Sequence, residues 1–461
     1  MKKLLLVEPV VAIYSFASFM TYPLIQQYVY RSLWEEVNNS SFKNSLNISH
    51  CEINESNPIY IKQKEVQQRA SLFSMSLDLS GLIPSLVVAL ILVAYGDHHG
   101  RKAAMLLPSI GSLVSSSFCF AMSYFSLTLY LFFASSLIGG FLGSFATFLG
   151  GCFSYVADLC HNEKQKTIRI ALIDMILGLG GGLAGLSSGY FLRELGFTWS
   201  FVIISLLHFL NIGYIIFCLE DTVKVLDSEQ KAFSIKVFKE IFCGVFLLFK
   251  TSSCRKRIVI ILMLGTFMTY LFSNMGGVAL FTLYELDAPL CWNEVLIGWG
   301  SSLSTLVFLS SFLGIYLFSC CLKDAYIVLI GIISWIGGII MAAFATTTQT
   351  MFLVRLPLLF AAMPLPVLRS MMSKVVHDSE QGALFACIAC LESLIGTVAL
   401  IVFNSIYAAT VTWYPGFCFL LAAGLSVIPF SIVCLLLCMG YQEKEHTILV
   451  NPEESMEDSV S

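Results

Sequence analysis

Charge is scarce in this chain. Of 461 residues, 26 are Lys or Arg and 30 are Asp or Glu, so 12% are charged while 57% are apolar. An average soluble domain has roughly a quarter of its residues charged, and no soluble core absorbs this much apolar surface. The shortage also excludes a disordered chain, which needs polarity to stay unfolded. The net charge of −4 excludes a nucleic-acid binder with a basic face. Histidine is equally thin: there are seven, none in an H-E-x-x-H pair, and no acidic or His cluster of the kind a membrane enzyme needs. No repeated ring of charges marks a channel filter. These residues offer no metal site and no bound cofactor.

What the chain has instead is long apolar runs, and a helix needs about 20 such residues to cross a bilayer. Twelve runs stand out, near 4–25, 72–95, 103–125, 127–156, 168–192, 200–219, 258–284, 295–319, 326–346, 350–373, 381–409 and 414–438. They are continuous rather than alternating, which predicts an all-α polytopic protein and not a barrel. The first run follows Lys2 and Lys3 like a signal peptide. It is long, contains Glu8-Pro9 and lacks a small-x-small cleavage site, so it reads as a retained helix.

Basic residues set the orientation. With both termini cytosolic, 18 of the 26 Lys and Arg fall on the cytosolic side and six on the luminal side, while Arg355 and Arg369 lie within apolar runs. Loop 26–71 falls on the luminal side and carries four N-x-S starts, at Asn38, Asn39, Asn47 and Asn54, which predicts N-glycosylation there. Of 15 cysteines, only Cys51 and Cys291 fall on that side. A bond between them would staple the first luminal loop to the loop joining spans seven and eight, in a compartment that permits disulfides. Cys387 and Cys390 sit on an apolar helix with no nearby His and read as packing.

A polar stretch, 220–257, splits the spans six and six. The predicted units are an N-terminal half (1–219), a cytosolic linker (220–257), a C-terminal half (258–438) and a cytosolic tail (439–461). Repeated halves with a substrate site at the midplane are a transporter layout. In the linker, Phe233, Val237, Ile241 and Val245 form a stripe suited to a helix on the membrane surface. Gly178, Gly182, Gly185 and Gly189 share one face of span five, and Gly139 and Gly143 one face of span four, where a neighbouring helix can come close.

Ionisable residues inside spans are expensive and are functional candidates by default. Asp174 lies in span five, roughly 9 Å from its cytosolic start. Glu392 is near the middle of span eleven, and Asp78 is in span two toward the lumen. Each of the first two acids can load a proton on an acidic face and release it on a neutral one. Arg369 stays charged, which suits a counter-ion or a clamp for an anion. It shares span ten with Arg355, Pro357, Pro364 and Pro366, and the prolines should break that helix. His208, beside Asn211 in span six, reads as packing.

The loop Gly96-Asp97-His98-His99-Gly100-Arg101-Lys102 has the spacing of the major facilitator signature D-x-x-G-R-K. Together with Leu283-Tyr284-Glu285-Leu286, Pro289-Leu290-Cys291-Trp292, Ser379 to Phe385 and Phe403-Asn404-Ser405-Ile406-Tyr407, it resembles solute carrier family 46, the proton-coupled folate transporter family. Lys164 to Arg169 and Gly189 to Phe197 resemble its lysosomal branch. The resemblance implies a major facilitator fold of 12 helices and proton-coupled export from lysosome to cytosol, with the proton as coupling ion. It implies lipophilic organic anions as substrates: steroid conjugates and bile acids, with muramyl dipeptide and drug catabolites.

Residue by residue, the resemblance makes Asp174 the coupling acid, joined by Glu392, and Arg369 a substrate contact. It makes Asp97, Arg101 and Asp158 a conformational latch, and Cys51–Cys291 a disulfide. The family's span-seven histidine falls on Asn274, which cannot titrate and is expected to contact substrate. That departure, with Glu392 standing where the folate transporter has a neutral residue, speaks against folate. Glu445 to Val450 resembles an acidic dileucine signal that would engage sorting adaptors. Beyond adaptors, the expected partners are the small-molecule solute and membrane lipid, with no nucleic acid. A receptor that senses such solutes without moving them is the alternative, and only flux separates the two.

Overall fold

A computed structural model of the chain describes residues 7–38, 58–160, 162–220, 254–286, 290, 292, 294–376, 381–411 and 413–439. Asn39, Asn47, Asn54, Cys51, Cys291, the surface stripe of the linker and the dileucine-like tail lie outside the described residues, as do the side chains of Asn38 and Asp97.

The apolar runs become helices, because in hydrocarbon each backbone N–H and C=O has to find its partner within the segment. The N-terminal half contains α1 (Glu8–Asn38), α2 (Pro58–His99), α3 (Lys102–Phe125), α4 (Leu131–Leu142), α5 (Phe145–Leu159) and α6 (Glu163–Cys218). The C-terminal half contains α7 (Cys254–Leu286), α8 (Glu294–Phe318), α9 (Asp324–Ala343), α10 (Thr348–Leu353), a 3-10 turn at Pro357–Phe360, α11 (Pro364–Val375), α12 (Gln381–Thr410), α13 (Phe417–Leu425) and α14 (Val427–Cys438).

Among the described residues, nine segments are long and apolar enough to cross a membrane. One of them, Glu163–Cys218, has 56 residues and would be about 84 Å long if straight, far more than a bilayer needs. It carries a non-helical Gly196 at φ 71°, so the fifth and sixth runs are a single helical segment with a sharp break between them. Nothing crowds the position of a Cβ at Gly196; the positive φ alone requires glycine. α1 and α8 match the first and eighth apolar runs but are not among the nine.

Three runs are interrupted. Run four is two helices, not one: Gly143 takes φ +94°, Ser144 is extended, and a Cβ at Gly143 would press on Pro108 and Thr147. Run ten breaks at its prolines as expected, into α10, the 3-10 turn and α11. The carbonyls this frees are taken up by hydroxyls from neighbouring helices. Tyr270 donates to Ala361 O, Ser310 and Ser311 to Leu359 O (2.7 and 3.0 Å), and Ser334 to Pro357 O. Run twelve breaks at Ser426, whose hydroxyl meets Ser273 Oγ at 2.7 Å.

The halves meet where α12 packs on α2 and α5, and where α6 packs on α8 and α11. Phe153 stacks on Phe385 at 6.0 Å, and the Cys390 thiol donates to Leu86 O at 3.2 Å. Gly178 lies against Phe308 and Gly182 against Thr305, so half of the glycine face in span five is used for close approach as expected. Gly185 and Gly189, farther toward the lumen, have nothing within 4 Å of a Cβ position, and neither has Gly139. Close approach to the other half by this glycine face is made at Gly178 and Gly182.

Candidate functional site: a charge cluster between the halves

Arg369 lies at the centre of this contact. It sits in the second turn of α11, whose start is set by Pro364 and Pro366, a fixed φ that suits a helix N-terminus. Its Nη1 donates to Asp174 Oδ2 at 2.5 Å and its Nη2 to Glu392 Oε1 at 2.6 Å. The side chain of Arg369 is 3% exposed, against 17% for Asp174 and 22% for Glu392, so the cation is covered while its two acids reach open space. The guanidinium carbon lies over two aromatic rings, 4.7 Å from the centroid of Phe153 and 5.3 Å from that of Phe267. Such ring contacts strengthen when water is excluded.

Asp174 and Phe153 come from the N-terminal half. Arg369, Glu392 and Phe267 come from the C-terminal half. The three ionisable residues singled out in spans five, ten and eleven thus form a single group, and one of its two ion pairs crosses between the halves. Asn274 is partly buried on α7, two turns luminal of Phe267, and is not a hydrogen-bond partner of Arg369. Asp78 is exposed on α2. His208 is buried edge-on to Tyr14, with ring centroids 5.5 Å apart, away from the cluster.

On the cytosolic side, two of the three residues assigned to the latch, Arg101 and Asp158, form an ion pair. Arg101 Nε meets Asp158 Oδ2 at 2.8 Å, and Nη2 meets Oδ1 at 3.3 Å, tying the start of α3 to the end of α5. This two-pronged geometry is specific to Arg. Beside it lies a polar seal that the sequence did not reveal. Lys374 Nζ donates to Asp324 Oδ2 at 2.6 Å, and Thr167 Oγ1, from the other half, lies 2.7 Å from Ser370 Oγ and 3.5 Å from the same Asp324 oxygen.

A further buried pair, Arg169 to Glu8 Oε1 at 2.7 Å, ties α6 to the first turn of α1. Toward the lumen, Arg355 donates to Glu285 Oε1 at 2.7 Å and to Met351 O at 3.1 Å, and it covers the Phe281 ring at 4.8 Å. Glu8, Asp324, Lys374 and Glu285 stand at the edges of apolar runs, where they look like ordinary flanking charges. Only their burial distinguishes them.

Helices in two halves, a sealed cytosolic side and a shared ion cluster at the seam define a secondary transporter of the alternating-access kind. Residues 7–317 match the family model of the Major Facilitator Superfamily. The crystal structure of a human organic anion transporter, MFSD10, superposes with a TM-score of 0.71 over 93% of this chain and 98% of that one, at 16% identity, a likeness of fold. The chain is 59% identical to the lysosomal proton-coupled steroid conjugate and bile acid symporter of Gallus gallus, over 100% of both chains. It is 32% identical to the proton-coupled folate transporter of Rattus norvegicus, over 93% of this chain and 91% of that one. The chain belongs to the major facilitator superfamily and, within it, to solute carrier family 46.

Proposed function

We propose that the chain is a proton-coupled symporter of the lysosomal membrane, exporting lipophilic organic anions such as steroid conjugates and bile acids from lumen to cytosol. The observation that carries this reading is the sharing of Arg369 between Asp174 and Glu392 across the seam of the halves. The near-full-length kinship with a symporter of that description supports the choice of substrate class over folate.

Charge arithmetic gives the coupling. One cation and two ionised acids leave the cluster at −1, and an uncompensated charge inside a membrane is costly. An anionic solute bound alone would take it to −2, and one proton taken up with the solute restores −1. An anionic solute that takes a place on the Arg369 guanidinium displaces one carboxylate, and that carboxylate has to be protonated for the solute to stay. Solute and proton therefore load together. Asp174 is the acid whose bond to Arg369 crosses the halves, so it is the one freed when they part. We assign it the coupling role, with Glu392 as the resident partner that shares the proton. Arg369 is the anion clamp, and Asn274 a solute contact on the luminal approach.

We assign Arg101, Asp158 and Asp97, the last of these in the final turn of α2, to the latch. The Arg101–Asp158 pair is made in this arrangement and breaks as the cytosolic ends separate. The seal of Thr167, Ser370, Asp324 and Lys374 acts with it.

The test is uptake of labelled steroid sulfate into cells carrying the protein at the plasma membrane, at acidic and at neutral outside pH. Wild type is compared with Asp174→Asn at matched surface level. Uptake that is stimulated by acid, with the stimulation lost in the variant, is expected. Binding without flux at either pH leaves a receptor rather than a carrier.

A further inference from the structure

Among the described residues eleven cysteines are free thiols, and four of them are exposed: Cys218, Cys320, Cys321 and Cys438. All four stand at or just past the ends of α6, α8 and α14. The orientation set by Lys and Arg puts those three ends in the cytosol. The other seven thiols are buried or half-buried. Packing alone does not gather exposed thiols on one face of a membrane.

Cys320 and Cys321 are the adjacent pair. Five residues, 319–323, join α8 to α9, too few to carry the thiols far from the membrane surface and back. The backbone of this turn is held. Ser319 N donates to Ile315 O at 2.9 Å, Cys321 N to Phe318 O at 3.0 Å, and Leu322 N to the same oxygen at 2.7 Å. Cys320 Sγ reaches only its own helix, at Tyr316 O, 3.5 Å away, and a thiol is a weak donor.

The helix before the turn shows which way the thiols look. On α8, Gly314 lies against Phe360 and Met363, Ser310 and Ser311 bond to Leu359 O, and Ile315 is buried. That leaves Leu313, Tyr316 and Leu317 outward, 49%, 52% and 63% exposed. Lipid tails are as apolar as leucine and accept such a face. Cys320 follows Leu313 by seven residues and Leu317 by three, so helical spacing carries the lipid-facing stripe into the pair. Lys323, exposed just beyond it, stands at the level of the anionic headgroups.

We propose that Cys320 and Cys321 are a site of S-acylation by a long-chain fatty acid. Juxtamembrane cysteines receive such chains reversibly. The sulfur of either residue attacks the thioester carbonyl of a fatty acyl-coenzyme A. A carbon–sulfur bond forms to the cysteine, the bond to the coenzyme A sulfur breaks, and the cysteine's proton ends on the released coenzyme A thiol. Neither oxidant nor reductant takes part, and hydrolysis of the new thioester restores the thiol. A disulfide between the two cysteines is the competing fate, and the reducing cytosol opposes it. The attached chain lies along Leu317 and Leu313 in the bilayer. Asp324, the acid of the cytosolic seal, is three residues past Cys321, so the anchored turn leads directly into the closing contacts.

The test uses the full-length protein expressed in cells. Free thiols are blocked, thioesters are cleaved with neutral hydroxylamine, and the released thiols are tagged with maleimide-polyethylene glycol, which adds one visible mass step per site. Wild type is expected to show steps that require hydroxylamine. Cys320→Ser with Cys321→Ser should lose them, and Cys218→Ser with Cys438→Ser should keep them. A wild type without hydroxylamine-dependent steps overturns the proposal, and so does a Cys320→Ser, Cys321→Ser variant that shifts like wild type. Where that variant fails to accumulate, the thiols released from wild type are alkylated and mapped by mass spectrometry. The alkyl label is expected on the peptide containing Cys320 and Cys321. Label confined to other cysteines overturns the assignment.

Discussion

Replacing Arg369 by glutamine removes the only cation from a site that keeps two acids. Their bonded oxygens are joined through one guanidinium, with legs of 2.5 and 2.6 Å, so they lie no more than about 7 Å apart. At that separation two unit charges repel by about 2 kcal/mol with an effective dielectric constant near 20. Breaking a buried pair by deleting one partner costs about 3–5 kcal/mol in all, because the survivors stay desolvated. That is a large share of a typical folding free energy of about 5–15 kcal/mol. The single variant should melt well below wild type, by several degrees in a fluorescence-detected size-exclusion melt of the detergent-solubilised protein.

The decisive comparison is the triple variant Arg369→Gln, Asp174→Asn, Glu392→Gln, in which all charge is gone and the amides can bond to one another. It should recover most of the lost stability, since swapping a complete buried ion group for neutral residues is close to thermodynamically neutral, and it should still carry no solute. A single variant that melts with wild type, or a triple variant no more stable than the single, would refute the assignment of these residues to one interdependent cluster.

Other consequences can be checked in the same assays. Glu392→Gln leaves one acid and one cation, so neutral-pH uptake should rise relative to acidic uptake and the pH ratio should shrink without disappearing. Thr167→Ala removes two contacts of the cytosolic seal, worth about 1 kcal/mol each. It should raise the reactivity of a cysteine placed at the buried Ala386 toward an impermeant thiol reagent added from the cytosolic side. Asp158→Asn should lower the maximal rate with little change in KM, since the Arg101 pair fixes helix ends and does not face solute. Cys51→Ser, Cys291→Ser and the double variant should share one phenotype if those thiols are bonded to each other.

How much of this was readable beforehand depends on what a one-dimensional pattern encodes. Apolar runs and the distribution of Lys and Arg record which segments leave water and which way they face, so most of the spans followed from composition alone. The break at the prolines of run ten was legible because proline's missing N–H is a local property. The break between α4 and α5 was not. Gly143 resembles any other packing glycine until its φ of +94° is seen, whereas Gly196 falls in the gap between runs five and six.

Asp174, Glu392 and Arg369 could each be suspected singly, as charges in lipid. Their meeting could not, because Asp174 and Arg369 are 195 residues apart and nothing in either span names its partner. The pair of Glu8 with Arg169 and the contact of Thr167 with Ser370 escaped for the opposite reason. These residues sit at the ends of spans, where polar side chains are commonplace and burial is decided by the neighbouring helix.

The bond from Arg369 to Asp174 also bears on what the carrier does when it is empty. An acidic compartment is maintained at metabolic expense, and a carrier that cycled with a proton but no cargo would be a leak. On the coupling proposed above, Asp174 is engaged by the cation when solute is absent and takes a proton only when a solute displaces it. The unladen return would then dissipate none of the gradient. Anything that weakens this one contact while sparing the rest of the protein should produce idle proton slippage: a membrane that loses its acidity with no solute to transport.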